Sequence, residues 1–205
     1  MAVVALSAAV VCVYFAVTGG SQKVNLDPYQ ALGTVTAEET AKLLGDKGQV
    51  LVIVRGFGAN QNPSVEAELQ AFEQTVKKHP GLGMQVEKFQ ASPMLMMATG
   101  GGLPAEELFK ALSSHANLNA VVMFLGFPQL ADAQLADLKQ SGIKAVVVSS
   151  LRPGYKQLLE QQVIHVVIVP RPEPPPAGGP TPKTVRERFD QEYLIFTPAD
   201  AAGLP

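Results

Sequence analysis

Residues 50–54 read Val-Leu-Val-Ile-Val, an unbroken run of β-branched and aliphatic side chains. Such a run is typical of a strand buried on both faces of a parallel sheet, because a half-exposed strand would alternate with polar residues. Downstream, a helix is predicted over 64–79, where apolar residues recur at spacings of four, three and four. Pro80-Gly81 ends that helix. The stretch therefore predicts a strand-helix unit of an α/β sheet.

The same alternation repeats along the chain. Further strands are predicted over 84–89, 120–125, 145–148 and 163–169, with helices over 104–115, 131–140 and 154–161. Strands that alternate with helices of this length specify parallel pairing with helices on both faces. We predict an α/β fold with a doubly wound, mostly parallel sheet of five to six strands in a three-layer sandwich. The last strand, over 193–197, pairs either with this sheet or with another protein.

The amino-terminal segment, residues 1–20, contains an apolar run. No charged residue occurs from Ala2 to Val17, a length that just suffices for a membrane helix. We predict a transmembrane anchor or uncleaved signal that contacts the lipid bilayer through residues 2–18. A cleaved signal peptide is the alternative, because small residues follow the run, although no Lys or Arg precedes it. Lys23 follows the run and favours a cytoplasmic body by the positive-inside rule.

The remaining chain is predicted to fall into three parts. Residues 21–48 form a connector with a short helix that starts near Thr36. Residues 49–169 form the α/β lobe, and residues 170–205 form a proline-rich strap followed by the C-terminal strand. The strap reads PRPEPPPAGGPTP, and its prolines lack the backbone donors that a sheet interior requires. We therefore expect an extended spacer.

Composition and charge exclude several classes of function. The net charge is -2 and the 16 basic residues are scattered, so no nucleic acid partner is predicted. One cysteine and three isolated histidines offer neither an internal disulfide nor a ligand cluster, so no metal and no cofactor are predicted. No catalytic residue is assigned, because no serine, histidine and acid are framed by a nucleophile-elbow motif. The chain is predicted to bind rather than to catalyse.

Candidate ligand contacts lie in the loops that follow strands, since ligands of open α/β sheets bind at the carboxyl ends of the strands. The candidates are Arg55, Asn60, Asn62, Gly100, Gly101, Ser149 and Arg152. Arginine suits an anion, asparagine and serine form hydrogen bonds with a polar ligand, and glycine permits close approach of the backbone. Helix capping is the favoured role of the asparagines, and Ser149 equally suits a cap for the helix after it.

Several phrases of the sequence resemble the type I periplasmic binding proteins and their repressor relatives. They are LVIVRGFGANQNP, SVEAELQAFEQTVKKH, MQVEKFQAS, LNAVVMFLGFP, LADLKQSGI and KAVVVSS. The resemblance spans residues 50–170 and implies an extracytoplasmic protein. That family binds sugars and similar small ligands between two lobes, whereas 205 residues are expected to hold one lobe. Ser64-Val65 stand where the family usually has an aromatic residue after the Asn-Pro turn, which weakens the transfer of sugar stacking.

Three functional hypotheses follow. The first is a membrane-anchored, noncatalytic module that acts as an interaction or accessory subunit with membrane-embedded or envelope protein partners. It would be a single-pass protein of the inner membrane with its globular part in the periplasm, as the resemblance implies. The second is a single-lobe binding or sensor protein for a small polar, sugar-like ligand. The third is a flavodoxin-like or hydrolase-like enzyme, because such folds host many activities.

Overall fold

A computed structural model describes residues 24–58, 61–90, 92–99, 102–150, 152, 154–173 and 181–204. The predicted anchor, and with it the bilayer contact through residues 2–18, lies outside the described residues, as does the centre of the proline-rich strap. Among the helices that are described, none is long and apolar enough to cross a lipid bilayer.

The described strands form one six-stranded sheet. They are β1 (Gly48–Arg55), β2 (Leu82–Phe89), β3 (Leu118–Met123), β4 (Lys144–Val148), β5 (Val166–Pro170) and β6 (Tyr193–Phe196). Their order across the sheet is β2-β1-β3-β4-β5-β6. The first five run parallel, and β6 pairs antiparallel with β5. The predicted sheet is thus confirmed, and its last strand pairs within the same chain.

Helices cover both faces of this sheet. In the described residues they are α1 (Asp27–Leu44), α2 (Pro63–Val76), α3 (Pro93–Ala98), α4 (Ala105–Ser114), α5 (Asp132–Gln140), α6 (Tyr155–Glu160) and α7 (Val185–Glu192), with a 3-10 turn at Ala201–Gly203. One core cluster joins α1, α2 and α7 to the sheet, on what we call the first face. Another joins α4, α5, α6 and the 3-10 turn to the opposite side, the second face.

The buried run in β1 explains how one strand serves both faces. Successive side chains of a strand point to opposite sides of the sheet. Accordingly Val50, Val52 and Val54 join the first-face cluster, whereas Leu51 and Ile53 join the second. All five are fully buried. The central strands are therefore apolar throughout because each of their faces is covered.

The prediction for the helix before β1 was wrong about where it starts. Helix α1 begins at Asp27, and Pro28 lies in its first turn, where a missing backbone donor has no cost. Thr36 lies within the helix, buried, and its hydroxyl donates to the Leu32 carbonyl at 2.7 Å instead of capping. Residues 27–44 consequently contribute to the core of the lobe.

A glycine sets the crossing of α1 and α2. The α-carbon of Gly33 lies directly against the backbone of Glu68, and a β-carbon at Gly33 would overlap the Glu68 carbonyl group. Glycine is therefore the residue that lets the two helices approach this closely. The contact also fixes the position of Glu68 on α2. Glu68 lies in the first half of that helix, which begins near the carboxyl edge of the sheet.

Candidate functional site

The carboxyl edge of the sheet, where β1 to β5 end, contains a cavity at the point where the strand order reverses. From β1 the chain moves outward to β2 and then returns to β3 on the other side of β1. Such a reversal separates neighbouring loops and leaves a crevice that open α/β sheets use for ligands. Here the space measures about 290 Å³, and its walls include Arg55, Phe57, Glu68, Phe124, Ser149 and Ser150. We call it the switch-point cavity.

Backbone hydrogen bonds continue the sheet into the loops that form these walls. After β1, the Gly56 amide donates to the Phe89 carbonyl at 2.8 Å. After β3, the Phe124 amide donates to the Ile53 carbonyl at 3.0 Å, and after β4, the Ser149 amide donates to the Ile168 carbonyl at 3.0 Å. The walls of the cavity are thus positioned by the sheet itself.

Arg55 and Phe57 form the β1 side of the cavity. Arg55 is the last residue of the strand and lies in register with Phe89 of β2. Phe57, two residues later, is 40% exposed. A ring exposed beside polar groups offers a flat face for an apolar surface of a ligand. The family resemblance implies an aromatic residue after the Asn-Pro turn, whereas Phe57 precedes that turn.

Glu68 is the acidic group of the cavity, and the sequence analysis missed it. Burial raises the pKa of its carboxyl from 4.5 to about 7, so that protonated and ionised forms coexist near neutral pH. The group can therefore donate or accept a hydrogen bond there. Burial, followed by the charge of Glu68, also raises the pKa of Tyr193. A glutamate within a helix gives no sequence signal of burial, because burial depends on the elements that pack around the helix, here α1, whose Gly33 contacts the Glu68 backbone.

The structure brings some of the predicted contacts together and separates others. Arg55 and Ser149 both line the switch-point cavity. Arg152 lines a different cavity of about 530 Å³, together with Gly102 and Phe127, which we call the second cavity. Ser149 does not cap the helix after it, since Gly154 is the N-cap of α6 and no side chain caps that helix.

The remaining candidates precede α2 and α4 in the sequence. Asn62 caps α2, because its side-chain oxygen accepts a hydrogen bond from the Ser64 amide at 3.0 Å. The favoured capping role is thus confirmed for this residue. Asn60, Gly100 and Gly101 lie outside the described residues. Their part in binding stays a prediction.

The three histidines have local roles. His79 Nδ1 lies 2.9 Å from Asp46 Oδ1, and His115 Nδ1 lies 2.8 Å from the Ala111 carbonyl oxygen. Burial, followed by the charge of Lys144, lowers the pKa of His165 to about 4. No three potential metal ligands cluster within the part of the chain that is described.

Solved structures share this fold at low sequence identity. GanP, a glucose-galactose binding protein from Geobacillus stearothermophilus, superposes with a TM-score of 0.57 and 15% identity over 89% of this chain and 65% of its own. AraP, an arabinose binding protein from the same organism, gives 0.57 and 13% over 87% and 63%. The XylFII-LytSN complex gives 0.55 and 14% over 84% and 60%. The fold is that of a periplasmic binding protein lobe.

The resemblance predicted from sequence is therefore confirmed as a likeness of fold. This lobe spans 60–65% of the length of the three proteins. No protein-family model matches the sequence, and no curated protein matches it either. At such low identity the likeness concerns the backbone arrangement, and the ligand has to be argued from the cavity.

Proposed function

We propose that the chain is a noncatalytic protein that binds a small polar, sugar-like ligand in the switch-point cavity. The observation that carries the proposal is the joint placement of Arg55, Glu68 and Ser149 around one cavity with the exposed ring of Phe57. This reading, the alternative in the sequence analysis, has better support than the accessory-subunit reading. The three solved structures above add support, since two of them are named as sugar-binding proteins.

The chemistry of the cavity suits a ligand with several hydroxyl groups. Such groups both donate and accept hydrogen bonds, and the cavity offers guanidinium donors, serine hydroxyls and a carboxyl that exists in both forms near neutral pH. Its volume of about 290 Å³ is close to the lower end of the range for ligand pockets, about 300 Å³. A monosaccharide-sized ligand matches that volume better than a dinucleotide does.

Calorimetric titration with glucose, galactose and arabinose tests this proposal. We expect at least one sugar to bind, and we expect Arg55→Ala to weaken it about tenfold or more, since hydrogen bonds from a charged group contribute about 1.5–3 kcal/mol. Phe57→Ala should also weaken binding through loss of the ring face. Arg152→Ala is the matched control, because Arg152 lines the second cavity.

Two results would contradict the proposal. If Arg152→Ala weakens sugar binding and Arg55→Ala does not, the ligand binds in the second cavity. Absence of heat with every sugar, together with an unchanged Tm at millimolar sugar, would exclude this ligand class, because saturation at about a hundred times Kd adds about 2.7 kcal/mol of stability.

A second candidate function is the interaction subunit predicted from sequence. It is favoured by Met94 and Met97 on α3, whose side chains are 81% and 87% exposed, since flexible thioether side chains suit adaptable protein contacts. One solved structure of the same fold is named as a complex of two proteins. Copurification of the full chain in mild detergent tests it. We expect a partner protein to copurify with the unchanged chain and to be lost from the double variant M94S/M97S.

We also propose where the chain lies in the cell and how its sequence divides into parts. We propose an anchor in residues 1–20, inserted in the inner membrane, with the lobe in the periplasm. The lobe predicted over 49–169 includes, in addition, α1 from the predicted connector over 21–48 and α7 and β6 from the predicted strap over 170–205, since these elements pack in its core and sheet. Carbonate extraction of membranes tests the anchor. Release of the full chain into the soluble fraction would contradict it.

A further inference from the structure

The hydroxyl of Tyr155 is buried without a partner. Tyr155 is the first residue of α6, only 3% exposed, and its ring packs in the second-face cluster. Within the described residues, its hydroxyl is the buried side-chain group that makes no hydrogen bond. A phenylalanine would fill the same apolar space without burying a polar atom. Core packing alone therefore does not explain why this position has a hydroxyl.

This hydroxyl and Ser149, a residue of the switch-point cavity, both lie next to Gly126. Gly126, which follows β3, has a positive φ of 78°, and a β-carbon added to it would lie 2.7 Å from Ser149 Oγ and 3.7 Å from the Tyr155 hydroxyl oxygen. The amide of Gly126 donates to the Val148 carbonyl at 3.1 Å, which holds the glycine at the end of β4. Gly126, Ser149 and Tyr155 thus form a small polar notch next to the cavity that Ser149 lines.

We propose that Tyr155 is a positioning residue for the ligand of the switch-point cavity and that its hydroxyl donates to Ser149 Oγ when the ligand is bound. Rotation of Ser149 about its Cα–Cβ bond moves Oγ within the notch, which is open because residue 126 has no side chain. Once Oγ accepts from Tyr155, the serine hydrogen is free to point into the cavity. Ser149 then acts as a donor, and the ligand atom that faces it is an acceptor oxygen.

The inference rests on the proposed function, and it names the kind of ligand atom selected. A serine hydroxyl alone can rotate to donate or to accept. A tyrosine donor behind it biases that choice toward donation, because the bond from Tyr155 occupies one of the two lone pairs of Oγ and leaves the serine hydrogen available to the ligand. The notch therefore favours a ligand that presents a hydroxyl or ring oxygen at this position over its deoxy analogue.

Calorimetric titration of the full chain with glucose, galactose and arabinose, compared among the unchanged chain, Y155F, S149A and the double variant, tests this inference. For the sugar that binds, we expect Y155F to weaken binding about fivefold to twentyfold and S149A to weaken it similarly. The double variant should bind no more weakly than S149A alone, because Tyr155 acts through Ser149. Without sugar, Y155F should keep its Tm or raise it, since the lost hydroxyl has no partner.

The outcomes separate the inference from the proposed function. Equal affinity of Y155F and the unchanged chain would overturn the role of Tyr155 and leave sugar binding intact. Losses that add in the double variant, or a lower Tm of sugar-free Y155F, would show a structural hydroxyl and also overturn it. If the unchanged chain binds none of the sugars, the proposed function and the inference fail together.

Discussion

The two faces of the sheet use alternate residues of the same strands, yet they carry different chemistry. Buried threonines occur on the first face, where Thr36, Thr40 and Thr75 each donate to a carbonyl one turn earlier in their own helix. Glu68 also lies on this side, on α2. The second-face cluster is aliphatic and aromatic, with the hydroxyl of Tyr155 as its polar exception. Among the described residues, the buried threonines are thus concentrated on the first face, which also contributes Glu68 to the switch-point cavity.

The largest effect on the first face is expected from Gly33→Ala. The added methyl group would overlap the Glu68 carbonyl and force α1 and α2 apart, and overpacking of this kind costs about 3 kcal/mol. Urea denaturation measures the loss. Gly203→Ala, with open space around its α-carbon, is the matched control and should change stability by less than about 0.5 kcal/mol. Similar losses in both variants would show that the close crossing of the helices is not required.

A smaller, pH-dependent effect is expected from Glu68→Gln. Because the carboxyl pKa is raised from 4.5 to about 7 in the folded chain, the unfolded chain loses this proton first as the pH rises. The contribution of Glu68 to stability therefore falls between about pH 4.5 and pH 7, and glutamine removes that fall. Relative to the unchanged chain, the variant should gain about 1–3 kcal/mol at pH 8 and nothing at pH 4.

Glu66→Gln on the same helix is the control for that pH dependence. Glu66 forms an exposed ion pair with Lys88 at 3.3 Å, and such pairs contribute about 0–1 kcal/mol. Its loss should lower stability slightly at pH 8. A Glu68→Gln variant that follows the unchanged chain at every pH would mean that its carboxyl is ordinarily solvated.

The smallest effect is expected at the amino end of α2, where Asn62→Ala removes the cap. The Ser64 amide would lose its acceptor, which costs about 1 kcal/mol. Asn62→Ser retains a capping oxygen and should recover most of that loss. Thermal unfolding followed by circular dichroism measures both variants. If serine and alanine prove equally destabilising, the side chain of Asn62 has another role in the loop before α2.

Local patterns predicted the sheet, and long-range packing decided the rest. The apolar strands could be located because burial on both faces leaves a continuous run, as in Val50–Val54. Helix α1 was predicted to start near Thr36, too late in the chain, although Pro28 is well accommodated in the first turn of a helix that starts at Asp27. Glu68 and Phe57 were missed because their environment depends on loops and helices distant in the sequence.

The residues of the candidate site could likewise be predicted only in part, because long-range packing decides which of them meet. Arg55 and Arg152 both follow strands, so the sequence could not distinguish them. The structure places them at two separate cavities. The placement of Tyr155 and Ser149 on either side of Gly126 was equally invisible, because it depends on the positive φ of that glycine after a neighbouring strand. Strand ends predict the correct edge of the sheet, whereas the packing of helices and loops divides that edge into distinct pockets.

The contact between α1 and α7 has a consequence for synthesis of the chain. Arg186 of α7 pairs with Glu39 of α1 at 3.3 Å across 147 residues, and Phe189 of α7 is fully buried in the first-face cluster. At about 5–20 residues per second, translation needs roughly 7–30 s to supply that cover. During this interval the nascent chain lacks the cover that Phe189 gives to the first-face cluster. We therefore expect the newly made chain to associate with a chaperone until α7 has emerged from the ribosome.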